Sequence, residues 1–298
     1  MPGLSTHTHV PRCVNFEELC AHLADGRPIA ECLPTNVADA LKDAPAPRVL
    51  VDFAGRDSVA AALAWLADHE VGTYIPVGDV VPTRYGDWSI YEDNWQQMRN
   101  QLAQRHPAVR FTPWFVVEDT QMWRLLNARY LNQLIAAFGF FTPCLGCHLH
   151  FYAMRAVLGH ALGAEVLISG EKELHGTRRK ANQTPEAVEG YRSFSHAHGI
   201  RQHFPIYTLE GEAEMERLLA FEWKEGERQL RCVMSGNDRA ADGSLAMRPD
   251  QIRAYMSGFA VPLATTIIEL RRASVGPDEL QLRVDAEVQR LLAEVNGD

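Results

Sequence analysis

The chain has 298 residues, 46% hydrophobic and 22% charged, with a formal net charge of -9. That composition is ordinary for a globular protein with one large domain, or a main domain with an appendage. The acidic balance disfavours a broad nucleic-acid surface, which needs clustered Lys and Arg, and no stretch reaches the ~18 consecutive apolar residues of a membrane helix.

Along the chain, MPGLSTHTHVPR lacks a charged start followed by an apolar segment, so no signal peptide is expected and the cytoplasm is the default location. Residues 1–46 read as an irregular N-terminal extension with many prolines and a short helix near NFEELCAHLAD; DAPAP at 43–47 marks its end. RVLVDF (48–53) is a short apolar run suited to a buried parallel strand, and DSVAAALAWLADHE after it reads as a helix. GTYIPVGDVV (72–81) is the next strand, NWQQMRNQLAQRH (94–106) a helix and VRFTPWFVV (109–117) a third strand. TQMWRLLNARYLNQLIAAFG (120–139) and CLGCHLHFYAMRAVLGHALG (144–163) each read as one long helix. AEVLISG (164–170) is a fourth strand, HFPIYTL (203–209) a last one, and residues 224–298 are mainly helical. Strands alternating with helices predict an α/β fold: a Rossmann-like parallel sheet sandwiched by helices, with a helical C-terminal region. Ligands in such folds bind at the carboxyl ends of the strands.

Three motifs stand out, the first and the third of them at such ends. In VDFAGRDS, a turn of small residues lets backbone N–H groups face one anion, the following helix adds its positive end, and Asp57 or Ser58 can cap it. The same residues also suit an ordinary capped turn. CLGC places Cys144 and Cys147 at a helix start, where the helix end is expected to lower thiol pKa values. Such a pair is redox-active, holds a metal, or is simply buried; a metal needs further ligands, from Cys232, 85 residues beyond Cys147, or from His148 and His150. Cys13, Cys20 and Cys32 are expected to be structural thiols, the cysteines being too sparse for a disulfide framework. In SGEKELHGTRRKANQ, Gly170 ends a strand, and Glu171, Glu173, His175, Arg178, Arg179, Lys180, Asn182 and Gln183 follow within thirteen residues of it.

These motifs, in this order, resemble those of the N-type ATP pyrophosphatases, whose loop reads S-G-G-x-D-S. Gly55, Asp57 and Ser58 match; Phe53 stands where the family has Ser, and Ala54 where it has the first Gly. The resemblance implies ATP and Mg²⁺ at Phe53, Ala54, Gly55, Arg56, Asp57, Ser58, Asp79, Gly170 and Glu171, with Glu171 on the magnesium. It implies a PP-loop domain over 47–223. C-x-x-C before the fourth strand with a distant third Cys is similar to the family's thiolation enzymes, and implies a [4Fe-4S] cluster on Cys144, Cys147 and Cys232, with Zn²⁺ as the alternative. Asp57, Cys147, Cys232, Arg178 and Lys180 would then be catalytic, the two cations stabilising charge on the leaving pyrophosphate. Activity would be ATP-dependent sulfur transfer to a carbonyl carbon from a sulfur donor, through a cluster-bound sulfide or a cysteine persulfide. The acidic balance favours a small nucleobase or nucleotide over tRNA, and a homodimer is open. An ammonia-using relative of 7-cyano-7-deazaguanine synthase with structural zinc, or an ATP-binding protein without turnover, are the other readings. His196, His198 and His203 suit a polar loop better than a metal site. Absent G-x-S-x-G and H-E-x-x-H patterns give no support to a serine hydrolase or a zincin.

Overall fold

The computed structural model describes residues 10, 12–174, 178–220, 223 and 227–297. The elements run β1 (Cys13–Asn15), α1 (Phe16–Ala24), α2 (Thr35–Lys42), β2 (Arg48–Asp52), α3 (Arg56–Trp65), β3 (Thr73–Val80), β4 (Arg84–Tyr85) and α4 (Ser89–Arg105). There follow β5 (Arg110–Phe111), β6 (Phe115–Glu118), α5 (Thr120–Asn127), α6 (Leu131–Phe138), α7 (Pro143–Leu162), β7 (Ala164–Ile168), α8 (Pro185–Ala197) and β8 (Arg201–His203). The last part holds α9 (Glu212–Leu219), β9 (Arg231–Cys232), α10 (Pro249–Tyr255), a π-turn (Met256–Ala260), α11 (Val261–Arg272) and α12 (Pro277–Asn296). The fold class is the expected one, a parallel sheet between helical layers followed by a helical C-terminal region.

The sheet runs β1-β6-β3-β2-β7-β8, with β5 also on β3, and every pairing in it is parallel. Its central strands β2, β3 and β6 are buried on both faces, which is why they read as continuous apolar runs. Side-chain alternation divides them: Leu50, Ile75, Phe115 and Val117 enter the core beneath α7 and the C-terminal helices, while Val49, Val51, Tyr74 and Val116 enter the one beneath α3 and α4. Each buried Val, Leu or Phe contributes roughly 1.5–3 kcal/mol. β2 is flanked by β3 on one side and β7 on the other, with Leu50 opposite Leu167 and Val51 opposite Ile168. This is the switch point of the sheet, and it sets the loop after β2 beside the loop after β7.

Helix α7 is buried nearly all round. Thr142 caps it through Cys144 N (3.3 Å), Pro143 takes its first position, and Gly163 ends it at φ 64°, where a side chain would be strained.

Four readings need correction. The expected 120–139 helix is two helices: at the break Arg129 and Tyr130 bond Asp285 of α12 (2.9 and 2.6 Å) and Asn127 bonds back to Trp123 O. The 109–117 strand is broken at Thr112–Trp114, where Pro113 has no N–H for the ladder. The expected 203–209 strand is Arg201–His203 only, as Pro205 starts a turn. The segment read as irregular supplies an edge strand: β1 pairs with β6, Cys13 opposite Val116. An antiparallel ribbon of β4 and β9, with Arg84 opposite Cys232, had no signal in the sequence pattern.

Candidate functional site

The loop after β2 is closed by its own residues. Phe53 N donates to Val77 O (2.9 Å), and the buried Phe53 ring meets Tyr91 edge-on. Ser58 Oγ accepts from Ala54 N (2.9 Å) and Gly55 N (3.2 Å), so these two amides are already used. Gly170 at the end of β7 lies directly on the start of α3: a Cβ there would stand 2.6 Å from the Asp57 carbonyl carbon and 2.7 Å from Ser58 N. The motif glycine is therefore a close-approach residue. Arg56 folds inward, with Nε donating to Asp57 (3.1 Å) and Nη1 to Glu212 (2.6 Å) and to Trp223 O (3.2 Å).

Asp79 is buried, and both its oxygens accept from Arg155 (2.5 and 2.8 Å). Arg155 also meets Asp52 at 2.8 Å. Burial first, then the nearby Asp79 and Glu171, push Asp52 above the usual carboxylate range against the pull of Arg155. Asp79 thus anchors a buried cation beneath the carboxyl edge.

Glu171 is also buried and fully engaged: His148 Nδ1 lies 2.6 Å away, Tyr152 Oη 2.7 Å and Gln183 Nε2 2.7 Å. Burial would raise its pKa, but His148 and these hydrogen bonds hold it down at about 2. Asn182 Nδ2 reaches His148 Nε2 at 3.1 Å. The carboxylate expected on magnesium spends its oxygens on positioning His148 and Gln183.

His148 opens onto a cavity of about 1020 Å³ that is also lined by Cys144, Cys147 and Cys232, and by Arg178, Lys180, Asn182 and Gln183. The three cysteines thus share one cavity although two come from α7 and one from β9. Trp123 Nε1 donates to Cys147 Sγ (3.3 Å), and Cys144 Sγ lies 3.6 Å from Asn237 Oδ1. Burial lifts Cys144 to about 11 and Cys147 to about 12, and nearby Cys232 raises both. The expected lowering by the helix end is outweighed by desolvation. Among the described residues, no three His, Cys, Asp or Glu side chains stand together as a metal-ligand set. The soft thiol donors suit iron–sulfur or zinc chemistry, but they are not gathered at ligand distance.

Residues 228–232 connect the two halves. Asn94 Nδ2 donates to both Ala54 O (3.1 Å) and Arg228 O (2.8 Å), Gln229 packs on Gly55, and Cys232 lies among the thiols.

Other candidates lie elsewhere. Cys13, Cys20 and Cys32 do not line this cavity. His150 bonds Asp119 O (3.1 Å), His198 meets Thr265 (3.3 Å), and His203 packs on Trp65. His196 lies in the last turn of α8, His198 in the turn that follows it and His203 in β8, so only His198 falls in the expected loop before the strand. His175 lies outside the described residues. Sequence reasoning passed over Asp52, Arg155, Lys172 and Glu212. Arg155 had a signal, a lone cation inside the apolar stretch HFYAMRAVLG, and Lys172 stood next to Glu171 in plain view.

No family model matches the chain. It is 27% identical over 218 residues to an uncharacterized protein of Methanocaldococcus jannaschii, covering 73% of this chain and 78% of that protein. Among solved structures, it is similar to a U34-tRNA thiolase, NcsA, from Methanococcus maripaludis with its [4Fe-4S] cluster. That likeness has a TM-score of 0.33 and 10% identity, over 88% of this chain and 80% of the other.

Proposed function

We propose that the protein is an ATP-dependent sulfurtransferase of the PP-loop type acting on a small nucleobase or nucleotide. One observation carries the reading: Cys144, Cys147 and Cys232, distant in sequence, share a cavity with Arg178 and Lys180, and the segment that brings Cys232 there also lies on Gly55 of AGRDS. The phosphate end and the thiol end of such a reaction would be adjacent.

In this chemistry the substrate carbonyl oxygen attacks the α-phosphorus of ATP and pyrophosphate leaves. Sulfide then adds at the activated carbon, AMP departs with the former carbonyl oxygen, and a proton is lost as C=S forms. The start of α3 and Ser58 would orient the phosphates, Asp57 would hold Arg56 or a magnesium ion beside them, and Arg178 and Lys180 would offset the growing negative charge. Asn182 would read a polar substrate edge and His148, held by Glu171, would face it. The cavity, about 1020 Å³, has room for a nucleobase or a nucleotide. Cys144, Cys147 and Cys232 would hold a [4Fe-4S] cluster after side-chain rearrangement; bound by three thiolates, such a cluster leaves one iron able to carry sulfide.

Anaerobic purification followed by iron and labile-sulfide analysis tests this, together with pyrophosphate release in the presence of purines and sulfide. Iron and sulfide that vanish in Cys232→Ala support the reading. Colourless protein with stoichiometric zinc points to the ammonia-using alternative. A second reading, ATP binding without turnover, is favoured by one feature, the use of the Ala54 and Gly55 amides by Ser58. ATP binding with no pyrophosphate release under any condition would select it.

A further inference from the structure

Beside the AGRDS loop are two buried cations with donors to spare. Lys172 is 1% exposed, and its Nζ has no hydrogen-bond partner among the described residues. The carboxylate facing it, Glu212 Oε1, stands at 3.7 Å, beyond hydrogen-bonding reach. Arg56, the first residue of α3, is 5% exposed; its Nη1 bonds the other oxygen of Glu212 at 2.6 Å, while its Nη2 has no partner among the described residues. Buried charged donors left without a hydrogen-bond partner are costly, so their retention calls for a reason.

Glu212 differs from the groups around it. It belongs to the first turn of α9, whose Met215 and Leu219 are fixed in the core beneath α3, yet its own side chain is 52% exposed. Asp57, by contrast, sits on α3 next to Arg56 and is tied to it by geometry. One solvent-facing carboxylate therefore bridges two buried cations at a helix N-terminus. A carboxylate has two oxygens. A pyrophosphate group offers more acceptors and more charge, and could satisfy Lys172 Nζ and Arg56 Nη2 together.

We propose that Lys172 and Arg56 form a phosphate subsite of the AGRDS loop, and that Glu212 is its internal anion, displaced when a pyrophosphate-bearing ligand binds. The proposal rests on the reading of AGRDS as an ATP loop. Glu212 sets a threshold there: a polyphosphate displaces it more readily than a single phosphate does. Release of AMP and pyrophosphate restores the Arg56–Glu212 pair.

The test is calorimetric titration of the full-length protein with inorganic pyrophosphate, with inorganic phosphate and with ATP. Glu212→Gln, nearly isosteric and half exposed, should tighten pyrophosphate binding about tenfold by removing the competing charge. Lys172→Gln should weaken it about tenfold or more in both the wild-type and Glu212→Gln backgrounds. Pyrophosphate binding unchanged or weakened in Glu212→Gln overturns the displacement, and that variant alone decides it if Lys172→Gln fails to fold. A folded Lys172→Gln protein with unaltered affinity overturns the subsite. No pyrophosphate binding at millimolar concentration by either wild type or Glu212→Gln overturns both. ATP bound equally by wild type and Glu212→Gln overturns the gate and leaves the ATP site standing. Cysteine-dependent iron and sulfide are measured independently, so failure of the sulfur chemistry is distinguishable from failure here.

Discussion

The two halves of the carboxyl edge are built on opposite terms. Around AGRDS the backbone is closed on itself: Ser58 takes two loop amides, Gly170 presses on the start of α3, and Asn94 holds Ala54. Around the cysteines an open cavity is lined by pieces of α7, β9 and the 178–183 segment, and burial keeps the C-x-x-C thiols protonated. The loop half is rigid before any ligand arrives. The thiol half has its donors in one place, without the geometry that a metal needs. Under the proposed function, Cys144, Cys147 and Cys232 would have to close on a shared cluster, and residues 228–232 would carry that change to the first half.

The largest effect is expected from the charge shared beneath both halves. Arg155 is fully buried, bonded to Asp79 and Asp52 and to the Val77 and Phe151 carbonyls. Arg155→Met leaves the buried Asp79 and the part-buried Asp52 without their cation, and should cost about 3–5 kcal/mol in urea denaturation. A cost below about 1 kcal/mol would mean that water reaches the pair and that the platform is less rigid than the contacts imply.

Glu171 allows the thiol half to be probed by pH. Its folded pKa of about 2 lies below the ordinary 4.5, so its carboxylate adds stability that is fully present above 4.5 and is lost as pH falls toward 2. Across that window its contribution amounts to about 3 kcal/mol. Glu171→Gln should remove this part of the acid limb of the stability profile. An acid limb of unchanged steepness in the variant would show that His148, Tyr152 and Gln183 do not act on this carboxylate as the distances suggest.

Gly170→Ala should cost about 1–3 kcal/mol, because its Cβ would fall within 2.6–2.7 Å of backbone atoms that cannot rotate away. In the comparison it is the direct probe of rigidity: pyrophosphate binding should weaken while accessibility of Cys144 and Cys147 to thiol reagents stays the same. Equal changes in both halves would show that they move as one.

Much of this was written in the sequence, unevenly. Parallel strands buried on both faces announce themselves, and RVLVDF, YIPVGDV and AEVLI stand close to where they were expected. Thr142, Pro143 and Gly163 bracket α7 with residues whose helix roles are local. The convergence of Cys232 with C-x-x-C follows from a two-residue ribbon stabilised by its surroundings, and two residues carry no periodicity. The break at 128–130 depends on Asp285, 155 residues from Tyr130, so a helix-period pattern could not reveal it. Glu171 was conspicuous as an acid at a strand end, but its partners come from α7 and from the 182–183 turn, and those decide whether a carboxylate faces a metal or holds a histidine. Gly170 was matched by motif position, whereas its physical reason is the approach of β7 to α3.

The smallest effect expected is at Ser58, and it separates two meanings of the AGRDS loop. Ser58 Oγ accepts both the Ala54 and Gly55 amides, so Ser58→Ala frees two donors and removes a cap, at a cost of about 1 kcal/mol in thermal or urea unfolding. If the loop is a turn with a capped helix and nothing more, that loss is the whole result and nucleotide affinity is untouched. If phosphates sit there, the freed amides become additional donors facing the anion, and ATP affinity in the variant shifts in either direction by more than the threefold that a purely local structural change would give. The departure of Phe53 and Ala54 from the family pattern matters for the same reason. Phe53 contributes a buried ring in place of a hydroxyl, so the anion would be held by the amides and cations of this chain alone, and Ser58 is the residue that decides how many of those amides are available.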